Sequence, residues 1–136
     1  MPHENNAADN LRGKETILLV EDEQNLLGLM KTTLERAGYT VLTALDGLAA
    51  IKIFSLNKEK IALVLTDLGL PKLDGAAVFT SMKEIDPNVK IILASGYLEP
   101  NLKSNLLRSG AKDFIQKPYS PNLVLRKIRE VLDEKA

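Results

Sequence analysis

Residues 61–75 read IALVLTDLGLPKLDG, and the fold turns on this stretch. Its first six residues form a nearly unbroken apolar run of strand length, the pattern of a strand buried on both faces within a parallel sheet. Asp67 follows at the carboxyl end. A loop carrying Gly69 and Pro71 then leads to a helical pattern that turns Val78, Met82 and Ile85 inward. That loop is longer than simple punctuation between a strand and a helix requires.

The same strand–helix couple repeats on either side. Residues 16–21 read as a strand, followed by a helix with Leu26, Met30, Thr33, Leu34 and Ala37 on one face and Gly38 as its stop. A second strand covers 40–44, and Asp46 caps a helix that buries Ala50, Ile51 and Phe54. Beyond the central unit, 89–94 is a fourth strand. The helix of about 101–109 offers inward only Leu102, Leu106 and Leu107, a weak face that suits a mobile element. The fifth strand is 112–116, and Ser120 with Pro121 supplies a cap and a first-turn proline for a helix burying Val124, Ile128, Val131 and Leu132. Five such units imply parallel strands joined by right-handed crossovers, hence a doubly wound α/β sheet with helices on both faces. Residues 1–14 are polar and aperiodic and read as a flexible leader in which His3 is inert, with the domain spanning 15–136.

Composition removes several classes of function. Among 136 residues, 18 Lys plus Arg balance 18 Asp plus Glu, so no net basic field favours nucleic acid. The absence of cysteine excludes disulfides, thiolate metal sites and thiol nucleophiles, and suits a reducing compartment, the cytoplasm. No apolar run approaches the ~20 residues of a membrane span, so no membrane association is expected.

In open sheets of this kind the functional crevice lies at the carboxyl ends of the strands. There the chain places Glu21, Asp22 and Glu23 after strand one, Asp67 after strand three, Ser95 and Gly96 after strand four, and Lys117 and Pro118 after strand five. Crowded carboxylates repel by roughly 1 to 4 kcal/mol per pair at about 4 Å unless a cation sits among them. With only oxygen ligands on offer, a hard ion such as Mg²⁺ is the economical answer. A hydrated metal beside an amine and a hydroxyl suits phosphoryl oxygens, which points to phosphoryl transfer onto a carboxylate. Each residue also has a purely structural reading: Asp22 as the cap of the first helix, Asp67 and Ser95–Gly96 as turns, Lys117 and Glu23 as solvated charges.

Taken together, ILLVEDE at 17–23, LVLTDLGLPKLDG at 63–75, IILASGY at 91–97 and GAKDFIQKP at 110–118 closely resemble response-regulator receiver domains, over about residue 15 to the C-terminus. The resemblance implies a (βα)5 receiver fold with strand order 2-1-3-4-5. It also implies that Asp67 accepts a phosphoryl group from a phosphohistidine on a histidine kinase or histidine phosphotransfer protein. Mg²⁺ would be held by Asp22, Asp67 and the Gly69 carbonyl, with Glu21, standing where aspartate is commoner, acting through a metal-bound water. Lys117 would pair with Asp67 at rest and with a phosphoryl oxygen afterwards, its bond to Pro118 resembling the family's cis peptide. Ser95 would bond the phosphoryl group and Phe114 would rotate into the space behind it, switching a face formed by the fourth helix, fifth strand and fifth helix. Phe114 in place of tyrosine makes contacts there apolar. Gly69 leaves the approach to Asp67 open, whereas Tyr97 is placed to cover it.

The 19 residues after Lys117 suffice for one helix, so output is expected through protein contact, with the chain a monomer or weak homodimer. The resemblance implies a phosphoacceptor without separate substrate turnover, not an enzyme in its own right. Either a stand-alone receiver or the receiver segment of a hybrid histidine kinase fits, and RGKET at 12–16 with FIQKPYSP at 114–121 leans to the hybrid. The competing class is a receiver-like interaction module independent of phosphate; Asp22, Asp67, Ser95 and Lys117 argue against it. A haloacid-dehalogenase-type phosphatase would need an acid where Gly69 stands, and no nucleotide-cradling glycine loop is present.

Overall fold

The computed structural model describes residues 11–70 and 72–134. Strand and helix alternate as β1 (Thr16–Val20), α1 (Gln24–Arg36), β2 (Thr40–Ala44), α2 (Gly47–Asn57), β3 (Ile61–Asp67), α3 (Gly75–Ile85), β4 (Ile91–Ser95), α4 (Pro100–Arg108), β5 (Asp113–Gln116) and α5 (Pro121–Asp133). The strands pair in parallel in the order β2-β1-β3-β4-β5, the doubly wound α/β receiver arrangement expected. The chain winds outward from β1 to β2, then returns past β1 to β3, so the switch point falls between β1 and β3.

Two apolar layers hold the sheet. α1 and α5 cover one face through Leu27, Met30, Leu34, Val124, Ile128 and Val131, packed on Ile17, Leu19, Leu63, Leu65 and Ile92. On the other face, α2, α3 and α4 contribute Ala50, Phe54, Val78, Phe79, Met82 and Leu106, packed on Leu18, Val20, Val64, Ile91 and Leu93. Successive residues of β1 thus serve opposite layers, and both rows are apolar because both faces are covered.

Several local expectations shift. Leu27 takes the centre of the α1 face while Leu26 is half-buried at its margin. α2 packs along α3 as well as on the sheet; Ile51, expected inside, is only half-buried, as is Ile53, which packs against the core from its margin. Phe79 adds to the α3 face, and Ile85 is only partly covered. β4 starts at Ile91 because the Val89 N–H donates to the Asp86 carbonyl in the turn after α3. α4 buries Leu106 alone, leaving Leu102 39% and Leu107 43% exposed. α5 starts as expected, with Ser120 accepting from the Leu123 N–H and Pro121 in the first turn, and buries Val124, Ile128 and Val131, while Leu132 is only half-buried.

Polar ties close the ends of the molecule. The Lys90 ammonium donates to the carbonyls of Val131, Leu132 and Glu134, satisfying the last turn of α5. Arg129 on α5 binds Glu15 through two hydrogen bonds and also reaches Asp133, the Tyr39 hydroxyl and the Arg12 carbonyl. Of the leader expected over 1–14, residues 1–10, His3 among them, lie outside the described residues; the Gly13 N–H donates to the Ala37 carbonyl at 3.0 Å. Gly38, at φ 105°, lies so close to the Gly13 carbonyl that a side chain there would collide with it. Among the described residues, no helix is long and apolar enough to cross a membrane.

Candidate functional site

The sheet's hydrogen-bond ladders run one residue past several strands and so anchor the groups at their ends. The Glu21 N–H donates to the Ala44 carbonyl at 3.1 Å, Leu68 to Ala94 at 2.9 Å and Lys117 to Ser95 at 2.8 Å. β3 itself extends to Asp67, paired in register with Ala94. Gly75, the first residue of α3, lies against this strand end: a Cβ there would come within 2.4 Å of the Asp67 carbonyl oxygen and 2.5 Å of the Leu68 Cα. Only glycine lets α3 start that close to Asp67.

Glu21, Asp22 and Asp67 converge as the switch-point rule anticipates, each offering a carboxylate oxygen within 4.8 Å of the others. Glu21 and Asp67 are buried and Asp22 is exposed. Lys117 reaches into the cluster, its Nζ 2.7 Å from Asp67 Oδ2 and 3.0 Å from Glu21 Oε1. The remaining oxygens of those two carboxylates accept backbone N–H groups, Gly69 to Asp67 Oδ1 at 3.1 Å and Glu23 to Glu21 Oε2 at 3.0 Å. The Lys117–Pro118 peptide bond is cis.

Burial pushes the Glu21 carboxyl above its ordinary range, and the Glu23 N–H and the Lys117 ammonium only partly oppose that. For Lys117, burial alone would disfavour the ammonium, but hydrogen bonds to Asp67 and then Glu21 outweigh it, so the group stays firmly charged. Three carboxylates nevertheless face one ammonium, and two negative charges stay uncompensated. A surplus of two, presented on oxygen ligands with no nitrogen or sulfur among them, is what a hard divalent cation matches. The residues present therefore fit the expected metal.

Two structural readings of the β1 end change, at Asp22 and Glu23. The first helix is capped by Glu23, whose carboxylate accepts the N–H groups of Asn25 and Leu26; Asp22 is not the cap. Glu23, read as a solvated charge, thus has a structural task, and Asp22 is left to the cluster. The Ser95 hydroxyl does not turn to the carboxylates: it donates to the Tyr97 carbonyl at 2.6 Å within its own loop. Phe114 lies on β5, partly buried, and shares with Ser95, Tyr97, Leu98 and Lys103 the wall of a cleft of about 390 Å³. The approach to Asp67 is open over Gly69, where an added Cβ would meet only Asp67 Oδ1 at 3.9 Å, and the Tyr97 side chain is 74% exposed.

Tyr119 escaped the sequence reading. It lines, with Glu21, Asp67, Leu27 and Met30, a cavity of about 10 Å³, room for about one water. Burial, then the Glu21 carboxylate, pushes its phenol up to about 12. Its position two residues beyond Lys117, on the strand-end rim, was the available signal.

The model of the response regulator receiver domain family matches residues 17–129. The probable transcriptional regulator ycf27 of Galdieria sulphuraria is 37% identical over 124 residues, which cover 91% of this chain and 48% of that protein. The sensor kinase CckA of Brucella abortus is 31% identical over 127 residues, 93% of this chain and 13% of that protein. This chain therefore spans about half the length of the first relative and a small part of the second. The structure of the CheX–CheY–BeF3–Mg complex from Borrelia burgdorferi aligns with a TM-score of 0.84 at 27% identity, covering 88% of this chain and 90% of that one. The match runs from β1 into α5 and takes in each strand end that carries the acidic cluster, so the chain belongs to the response regulator receiver domain family of two-component signalling.

Proposed function

We propose that this receiver is a phosphoacceptor whose nucleophile is Asp67. The supporting observation is the cluster itself: a buried carboxylate at a strand end, paired with Lys117 and flanked by two further carboxylates within 4.8 Å. In the transfer, the phosphorus–nitrogen bond of a phosphohistidine breaks and its electron pair returns to the imidazole. A phosphorus–oxygen bond to the Asp67 carboxylate forms in its place. The donor is a histidine kinase or a histidine phosphotransfer protein.

Asp22, Asp67 and the Gly69 carbonyl would hold Mg²⁺, with Glu21 acting through a water. When bound, the ion neutralises charge on the phosphoryl oxygens. Lys117 leaves Asp67 Oδ2 for a phosphoryl oxygen and needs no proton transfer to do so, since it is charged throughout. The Gly69 N–H steadies the other Asp67 oxygen. Ser95 exchanges the Tyr97 carbonyl for the phosphoryl group, Phe114 turns into the space behind it, and the face of α4, β5 and α5 changes shape for a downstream protein. The weak anchoring of α4 through Leu106 favours that rearrangement. The chain carries out this chemistry on itself, without turnover of a separate substrate, in the cytoplasm, as a monomer or weak homodimer and without nucleic acid. It does so as a stand-alone receiver or as the receiver segment of a longer protein such as a hybrid kinase.

The test is intact mass after incubation with acetyl phosphate, with and without Mg²⁺, on the wild type and on Asp67→Asn. A single base-labile phosphoryl adduct that needs Mg²⁺ and disappears in Asp67→Asn is expected. An adduct that persists in Asp67→Asn overturns the assignment. No adduct, together with no response to beryllofluoride, would make the protein a phosphate-independent interaction module.

A further inference from the structure

α4 has few ties to the sheet. Its one buried side chain is Leu106, and Leu102 and Leu107 face solvent. A second tie involves Lys103, one turn before Leu106 on the same helix, whose ammonium lies 5.7 Å from the centre of the Phe114 ring on β5. That is within the range at which a cation is attracted to an aromatic face. Lys103 forms no salt bridge among the described residues, so the ring is the partner the structure gives its charge.

The placement matters because both groups line the 390 Å³ cleft that also takes in Ser95 and Tyr97. Here Ser95 is bonded to its own loop and Lys117 to Asp67. In this arrangement the ammonium stands over the ring, so the contact favours Phe114 where it is. We propose that Lys103 is a positioning residue, a latch that ties α4 to the Phe114 ring and biases the receiver toward the arrangement seen here. This inference rests on the phosphoacceptor reading above and adds to it a residue outside the acidic cluster.

An exposed cation–aromatic contact corresponds to a factor of about two to five in an equilibrium. Lys103→Met keeps the length of the stem and removes the charge. It should raise the apparent affinity for beryllofluoride in the presence of Mg²⁺, read by NMR, two- to five-fold. Lys103→Arg should restore wild-type affinity, and in a Phe114→Leu background Lys103→Met should change nothing, since the ring is gone. Wild-type affinity in Lys103→Met, or the same gain with and without the ring, overturns the latch while leaving the phosphoacceptor reading intact. Hydrogen exchange of the α4 amides in each variant reads helix loss directly: a gain that tracks unfolding of α4 and not loss of the charge also overturns it. A wild type that takes neither phosphoryl group nor beryllofluoride overturns both.

Discussion

Asp22→Asn should make the metal-free protein more stable while removing its response to magnesium. Asp22 is exposed and accepts none of the hydrogen bonds found in the cluster, so the substitution deletes a charge without orphaning a donor. Its carboxylate lies within 4.8 Å of oxygens of Glu21 and Asp67. At that distance two like charges repel by about 0.9 kcal/mol at the dielectric of water and about 3.5 kcal/mol at an effective dielectric of 20. Asp22 faces solvent, so the lower value governs, and the nearby Lys117 offsets part of two such repulsions; about 1 kcal/mol remains. For a domain of this size that is about 3–4 °C in Tm. In the wild type, magnesium at about 100 times its dissociation constant stabilises by about 2.7 kcal/mol, because it binds only the folded chain. Thermal and urea unfolding, each run with chelator and with excess Mg²⁺, therefore give a crossover, with the variant more stable without metal and the wild type more stable with it. The metal-free gain should shrink in high salt. If Asp22→Asn is no more stable than wild type in chelator, the carboxylates are not held together against their own repulsion and the electrostatic reasoning for a metal fails. If Mg²⁺ still stabilises the variant fully, Asp22 is not a ligand.

Other consequences follow from the same geometry. Lys117→Met leaves Glu21 and Asp67 buried without their cation; it should cost about 3 kcal/mol, the low end for a broken buried pair because a quarter of the Lys117 side chain is exposed, and abolish adduct formation. Glu21 retains its proton in the folded chain at pH values where the unfolded chain, titrating near 4.5, has released it. Its contribution to metal-free stability is thus present below 4.5 and lost as pH rises through the folded value, which carboxyl NMR should place above 4.5. Magnesium, which needs the ionised group, should bind more weakly as pH falls through the same window and release protons on binding, both readable by calorimetry. Gly75→Ala drives a Cβ into the Asp67 and Leu68 backbone and should destabilise by about 3 kcal/mol and slow phosphoryl uptake. Gly28→Ala, in the α1 interior with nothing within 4 Å of the added atom, should stabilise by about 1 kcal/mol; urea unfolding separates the two.

The alternation of short apolar runs with amphipathic ones was enough to predict five strands, five helices and a parallel sheet, since burial on both faces leaves no polar row in a strand such as β3. The strand-end rule then selected Glu21, Asp22, Asp67, Ser95 and Lys117, because topology alone brings the carboxyl ends of parallel strands to one rim. What periodicity could not resolve were choices between adjacent residues, Glu23 over Asp22 as the cap of α1 and Leu27 over Leu26 in the core. Neighbours differ by about 100° around a helix, and the packing partner, not the pattern, decides which points inward. Likewise the Ser95 hydroxyl on the Tyr97 carbonyl, Tyr119 behind the acidic pair, Gly75 against Asp67 and Lys103 over Phe114 depend on contacts between residues that are distant in the chain or on a local rotamer. Local sequence determines which element forms and where it stops. The distances among side chains, from which charge, burial and reactivity follow, exist only once the elements have packed.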